Sequence, residues 1–208
     1  MTTNFVYFIR HARSHANQQN LLIGRKGAHE LNDVGLRQAV SLGERLKSQG
    51  VRAFRTSPLR RAVQTAHILG DTVGSPTPVV DEDLIERDFG RFDGMDRPTL
   101  LDTRSRLGLD NQDPTGYFPT ELEDVEPVKD VQSRMTQAWQ RAVALVEPGE
   151  SAGVISHAGT IKALLYGALG IDERQPRAFK VFQASYVKCK VPDEGRLTVH
   201  EIWVNPVQ

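Results

Sequence analysis

The chain has 208 residues, of which 39% are apolar and 25% charged, with a mean hydropathy of -0.40. These values suit a folded globular chain with one core and exclude the compositions of disordered or fibrous proteins. Its 26 Lys and Arg balance 26 Asp and Glu, so no global basic field attracts nucleic acid or an anionic membrane, and any anion specificity must be local. The single cysteine, Cys189, excludes an internal disulfide framework and a cysteine-built metal site; a reducing, cytoplasmic compartment is the natural reading. No apolar run approaches the ~18 residues needed to span a bilayer, and Met1 to Arg10 lacks the basic start of a secretion signal.

Phe5 to Ile9 is a short run of strand-forming residues of the kind buried on both faces, and it stops at Arg10-His11. From Asn32 the pattern turns helical. Leu36, Ala39, Val40, Gly43 and Leu46 recur at spacings of three and four, with Asn32 or Asp33 as N-cap and Gly50 as a stop. Val51 to Thr56 reads as a second strand. Ser57-Pro58 then reads as a cap followed by proline at the first helical position, with Leu59, Val63, Ala66 and Leu69 carrying a helix to Gly70.

Pro78 to Val80 is a brief strand, and the segment from Asp83 to Gly94 is irregular. Residues of about 91–127, rich in Asp, Pro and Gly, read as an insertion or lid within a single domain of residues 1–208. An amphipathic helix follows over Val128 to Val146, stopped by Pro148-Gly149, with Trp139 in its core face. Ala152 to Ser156 is another buried strand. It leads into His157-Ala158-Gly159-Thr160 and a helix from Ile161 to Leu169, ending at Gly170. Ala178 to Val191 and Leu197 to Val204 read as strands joined around Pro192 to Gly195, with Cys189 a small core residue. Strands interleaved with helices predict an α/β fold: a three-layer sandwich with a mainly parallel central sheet and helices on both faces.

In such a sheet, ligands bind beyond the carboxyl ends of the strands. That rule selects Arg10-His11 after the first strand, Ser57 with Arg60 and Arg61 after the second, Glu86 after the third and His157 after the fourth. Each has an ordinary structural reading when taken alone: a satisfied histidine, a solvated helix face, an exposed carboxylate. Together at strand ends they suit phosphoryl transfer through histidine. A neutral imidazole can attack phosphorus and hold the group, and arginine forks can grip its oxygens. Guanidinium charges nearby keep His11 neutral, and a carboxylic acid with a raised pKa, for which Glu86 is the candidate, is expected to protonate the leaving oxygen. A metal pair at His11 and His15 lacks a third ligand, and His29, His67 and His200 fit no pattern.

The same residues carry a resemblance to the histidine phosphatase superfamily in its phosphoglycerate-mutase-like branch. Arg10-His11-Ala12-Arg13-Ser14-His15-Ala16-Asn17 resembles its Arg-His-Gly-Glu-Thr-x-x-Asn signature, and Gly24-Arg25 with Leu31 to Ala39 resembles the stretch that follows. Ser57-Pro58-Leu59-Arg60-Arg61-Ala62-Val63-Gln64-Thr65-Ala66, Leu84 to Gly90, and Val154 to Gly159 resemble three further motifs in order. The resemblance implies His11 as nucleophile, with Arg10, Arg61 and His157 holding the phosphoryl group and Glu86 acting as acid, then base. It implies phosphate binding by Asn17, and it places Arg13, Gly24 and Arg60 on the substrate side. Ala12 and Ala158 stand where glycine is usual, and Arg13 where glutamate is usual.

A mutase must bind a second anionic group and shelter its phosphohistidine from water. Residues 110–126 carry six acids and no Lys or Arg, a poor cover for a doubly charged substrate, which favours hydrolysis of small phosphomonoesters. Arg91, Arg97, Arg104 and Arg106 keep a phosphoglycerate-type mutase as the alternative if they turn inward. A non-catalytic phosphoprotein-binding module is the third reading. The expected partner is a small phosphorylated molecule, with no metal, cofactor, nucleic acid or membrane; an edge strand or the C-terminal hairpin could support a homodimer.

Overall fold

A computed structural model of the chain describes residues 4–108, 123–171, 180–191 and 197–207. Four parallel strands form most of one sheet: β1 (Phe5–Arg10), β2 (Val51–Thr56), β3 (Val79–Val80) and β4 (Ser151–Ser156). The pair β5 (Tyr186–Lys190) and β6 (Thr198–Trp203) adds an antiparallel edge, giving the order β3-β2-β4-β1-β5-β6. The central strand β1 is apolar from Phe5 to Ile9 because both of its faces are covered. Its residues alternate between the two sides, as the period of a strand requires, and a single turn of helix, α1 (His15–Gln18), follows it.

Val6 and Phe8 pack with α5 (Val128–Val143) and α6 (Ala158–Leu169), where Met135, Trp139 and Leu164 complete one core layer. Tyr7 and Ile9 face α2 (Asp33–Lys47) and α3 (Arg60–Val73), with Leu42, Leu46 and Leu69 in the other. The α/β three-layer sandwich is therefore as predicted. A third, smaller cluster of Phe89, Phe92 and Val125, with Leu22 against it, lies outside both layers. Cys189 is fully buried in the first layer, and burial pushes its thiol up to about 12.

Several boundaries differ from the sequence reading, each for a local reason. The buried face of α2 is Gly35, Gln38, Ala39, Leu42, Gly43 and Leu46, so Leu36 and Val40 are 42% and 49% exposed. Gly35 sets this rotation, because its Cα lies where a Cβ would fall 2.0 Å from the Arg13 carbonyl oxygen. Ser57 does not cap α3. The helix begins at Arg60 with Leu59 as a capping residue that makes no side-chain bond, and it runs past Gly70 to a left-handed Gly74.

Within the proposed irregular insertion, α4 (Arg97–Arg106) is a regular helix capped by the Asp96 side chain. Helix α6 starts immediately after His157 rather than at Ile161, so residues 158–160 are its first turn. The last turn of the expected long helix opens after Val143. Within the strand expected over 178–191, only Tyr186–Lys190 is extended in the sheet among the described residues, and 178–179 lie outside them.

Candidate active site

Strand register assembles the site. Arg10 pairs with Ser156 and Thr56 with Ile155 across the parallel ladders, so the residues that follow must emerge side by side. The His11 amide donates to the Ser156 carbonyl at 3.0 Å, and the Ser57 amide to that of Ile155 at 2.9 Å. The rings of His11 and His157 consequently meet with centroids 5.1 Å apart and planes inclined at 56°. His11, His157 and Arg61 are 3%, 0% and 1% exposed.

His11 Nδ1 lies 2.7 Å from the Ala12 carbonyl oxygen. A carbonyl can only accept, so the ring proton sits on Nδ1 and Nε2 carries the lone pair. Arg61 Nε donates to that lone pair at 3.3 Å, while its Nη2 donates to the Gly24 carbonyl at 2.9 Å. Burial, then the charges of Arg61 and Arg10, hold His11 well below the usual histidine value; the Ala12 bond opposes them without reversing the outcome. His157 is lowered by the same causes, burial foremost. Burial also brings Arg61 down to about 10, which leaves it charged at neutral pH.

Arg10 is anchored by Nη1 to the Val181 carbonyl at 2.8 Å, and its backbone is gripped by Ala184 and Ser185. His157 Nε2 bonds Ser57 Oγ at 2.7 Å. Arg61 Nη1 and His157 Nδ1 are buried with no hydrogen-bond partner among the described residues. Buried polar groups are rarely left so, and two beside the same imidazole mark a place for a polar ligand.

Glu86 sits against the first turn of α6. Its Oε1 accepts from the Thr160 hydroxyl at 2.7 Å, the Thr160 amide at 3.0 Å and the Arg87 amide at 2.9 Å, and its Oε2 from the Gly159 amide at 3.2 Å. Helix N-termini offer such donors to anions. Three backbone amides therefore converge on the carboxyl group, while the Thr160 hydroxyl also reaches the Ile85 carbonyl at 3.2 Å. Gly159 is required here: a Cβ on it would lie 2.7 Å from Glu86 Oε1.

Two arginines and one carboxylate hold the Glu86 loop. Arg134 Nη1 donates to the carbonyls of Asp83 and Ile85, both at 2.6 Å, and its Nε and Nη2 form a fork on Glu126 at 2.9 and 3.0 Å. Arg25 Nε donates to the Glu86 carbonyl at 3.0 Å, and its Nη2 meets Glu126 at 2.8 Å. Burial alone would raise the Glu126 carboxyl, but Arg134 and Arg25 together hold it below the usual value. The Arg134 role is not visible as a motif, since Arg134 lies on the polar side of an ordinary amphipathic helix; Ser57 stands at a selected strand end and within a motif, but as a helix cap rather than as a partner of His157.

A cavity of about 200 Å3 opens over His11, Arg10, Asn17 and Glu86. Arg61 and His157 do not line it directly; they lie against His11. Asn17 Oδ1 accepts from the Ser14 amide at 3.1 Å in a capping box. Gly24 contributes its carbonyl to Arg61 rather than a surface to the cavity. Arg13, half-buried, does not line the cavity, and Arg60 pairs in solvent with Glu30. Arg91 and Arg106 pair with Asp124 and Asp102, Arg97 is exposed, Arg104 is buried, and none lines the cavity. Of the acidic segment, residues 110–122 lie outside the described residues, while Asp124 and Glu126 serve Arg91, Arg25 and Arg134. Among the described residues, no group of three His, Cys, Asp or Glu is arranged to hold a metal, and no helix is long and apolar enough to cross a membrane.

The family model of the histidine phosphatase superfamily (branch 1) matches residues 6–203. The chain belongs to that superfamily. The chain is 32% identical over 166 residues to the 2,3-bisphosphoglycerate-dependent phosphoglycerate mutase of Methylobacterium sp. (strain 4-46), covering 75% of this chain and 76% of that one. Among solved structures it resembles Bacillus stearothermophilus YhfR, with a TM-score of 0.80, 26% identity, and 94% and 95% of the two chains covered. It also resembles the mycobacterial glucosyl-3-phosphoglycerate phosphatase in complex with VO3, with a TM-score of 0.80, 25% identity, and 96% and 98% covered. The superfamily thus contains both phosphatases and mutases among this chain's relatives.

Proposed function

We propose that this chain is a phosphomonoester phosphatase that works through a phosphohistidine on His11, without a metal. The observation that carries the reading is the lone pair of His11 Nε2, fixed by the Ala12 carbonyl and met only by Arg61 Nε among the described residues, with Arg61 and His157 against the ring and each leaving a buried nitrogen, Nη1 and Nδ1, without a partner among the described residues. Phosphoryl oxygens would satisfy both. Arg61 would shift its bond from Nε2 to the phosphoryl group as substrate enters, and Arg10 would add the second fixed charge, supplying the neutralisation that a cation otherwise provides.

In the first step Nε2 attacks phosphorus, the ester P–O bond breaks, and the leaving alkoxide takes a proton from Glu86. Glu86 must first acquire that proton. An ester entering as its monoanion hands its own proton to the carboxylate, which accounts for the proton that reaches the leaving oxygen. In the second step Glu86 accepts a proton from water, the oxygen attacks phosphorus, and the P–N bond breaks to release inorganic phosphate. Asn17 lines the same cavity and is positioned to contact the phosphoryl oxygens.

Hydrolysis is favoured over mutase action because a mutase needs a second anion site. Of the arginines that would serve it, Arg91 and Arg106 are paired with carboxylates, and neither they nor Arg97 and Arg104 line the cavity. The test is incubation of the purified chain with p-nitrophenyl phosphate and with 3-phosphoglycerate in EDTA, followed by product analysis. Release of inorganic phosphate that survives EDTA and disappears in His11→Ala is the expected result. Chelator-sensitive turnover would remove the metal-free reading; isomerised phosphoglycerate without net phosphate release would make the chain a mutase.

A further inference from the structure

We infer that the natural substrate of this site is the phosphate ester of an uncharged, apolar alcohol. This rests on the phosphatase reading above and concerns the half of the substrate that departs. The cavity is divided in chemistry. Beyond the polar floor around His11, its wall is made by Leu21, Leu22, Ile23 and Phe89.

Leu22 and Phe89 belong to the small third cluster and are explained by packing. Leu21 and Ile23 are not: they are half-buried, they line the cavity, and they belong to none of the three apolar clusters among the described residues. Leu22 lines the cavity beside them, so three consecutive apolar residues border it. The stretch is pinned in that pose. The Leu22 amide donates to the Met95 carbonyl and the Gly94 amide to the Leu22 carbonyl, both at 2.8 Å, and the Gly24 amide donates to Asp93 Oδ1 at 2.8 Å. A rigid apolar wall gains most from an apolar group placed on it, because no loop must be ordered on binding.

A charged leaving group is poorly served. Arg10 is the one cation among the described residues that line the cavity, and the phosphoryl group claims it. Arg25 is bound to Glu126 and to the Glu86 carbonyl, and Arg60 to Glu30. A carboxylate or second phosphate on the leaving group would be pressed against Leu21 and Ile23 with no counter-charge left among the described residues that line the cavity, and such desolvation is costly.

The test compares kcat/KM for n-hexyl phosphate, glycerol 1-phosphate and 3-phosphoglycerate, three esters of primary alcohols in which the bond broken is alike and the tail differs. The hexyl ester is expected to exceed glycerol 1-phosphate by at least about tenfold, since each methylene held against an apolar wall contributes roughly fourfold, and to exceed 3-phosphoglycerate by more. In Ile23→Thr and Leu21→Asn the hexyl-to-glycerol ratio is expected to fall several-fold. Equal values for the three esters, a preference for 3-phosphoglycerate, or a ratio unmoved in both variants would overturn the inference while leaving the phosphatase reading intact. Absence of turnover with all three esters and with p-nitrophenyl phosphate would overturn both.

Discussion

His11 can serve as the proposed nucleophile only while its ring is neutral, and burial at the strand end, Arg61 and Arg10 all favour that form. Because all three act against the imidazolium, the acid limb of kcat/KM for p-nitrophenyl phosphate that belongs to the enzyme is expected well below the ordinary histidine value of about 6.5. A pH profile corrected for the ionisation of the substrate measures it; a limb at or above 6.5 would contradict the assignment. At this scale the sequence is readable where chemistry follows an unbroken apolar run, as at Arg10-His11 and Ser156-His157. It misleads at Ser57, whose place before Pro58 is that of a helix cap. The helix starts at Arg60 instead, and the hydroxyl bonds His157. Nothing in the composition around Val181 signals that its carbonyl holds Arg10.

At the scale of elements, the segment carrying Glu86 has little regular structure of its own. It is positioned from outside by α5 through Arg134, by the loop carrying Arg25, and by the first turn of α6. A proton donor matters most when the leaving group is basic, so displacing it should separate substrates. In Arg134→Lys, which loses the fork on Glu126 and one of the two carbonyl contacts, kcat/KM for an alkyl phosphate is expected to fall by about tenfold or more, while p-nitrophenyl phosphate, whose leaving group needs no proton, changes by less than about threefold. Equal losses on both esters would mean that Arg134 supports the fold rather than the acid. The sequence reading takes residues 158–160 as a turn before the helix. They are its first turn, and the amides of Gly159 and Thr160 meet the Glu86 carboxyl oxygens.

For the molecule as a whole, the legible part of the sequence is the alternation of strands and helices, from which the three layers follow. The strand order was not readable, because it depends on β4 entering between β1 and β2, a pairing that joins residues about 145 apart for β1 and 100 for β2. That insertion brings His157 beside His11, and it also buries two imidazoles in neutral form. The consequence for stability has a definite sign. Above about pH 6.5 neither the folded nor the unfolded chain protonates these rings; below it the unfolded chain takes up protons that the folded one refuses, so stability falls with acid. With two such groups the slope approaches roughly 3 kcal/mol per pH unit below 6.5. Urea midpoints at pH 7.5 and 5.0 measure it, and no change between them would contradict the buried neutral pair. A further loss is expected below about pH 4 as Asp81, which burial would raise but Arg141 and Arg55 hold lowered, becomes protonated.

The central claim is that phosphorus is transferred to one nitrogen of one ring. Rapid quenching of the chain with radiolabelled phosphomonoester, alkaline work-up and peptide mapping tests it most directly. The expected result is a single acid-labile, base-stable label on Nε2 of His11, formed within one turnover and absent in His11→Ala. Label on His157 or on a hydroxyl, or steady turnover with no label at any time, would contradict it.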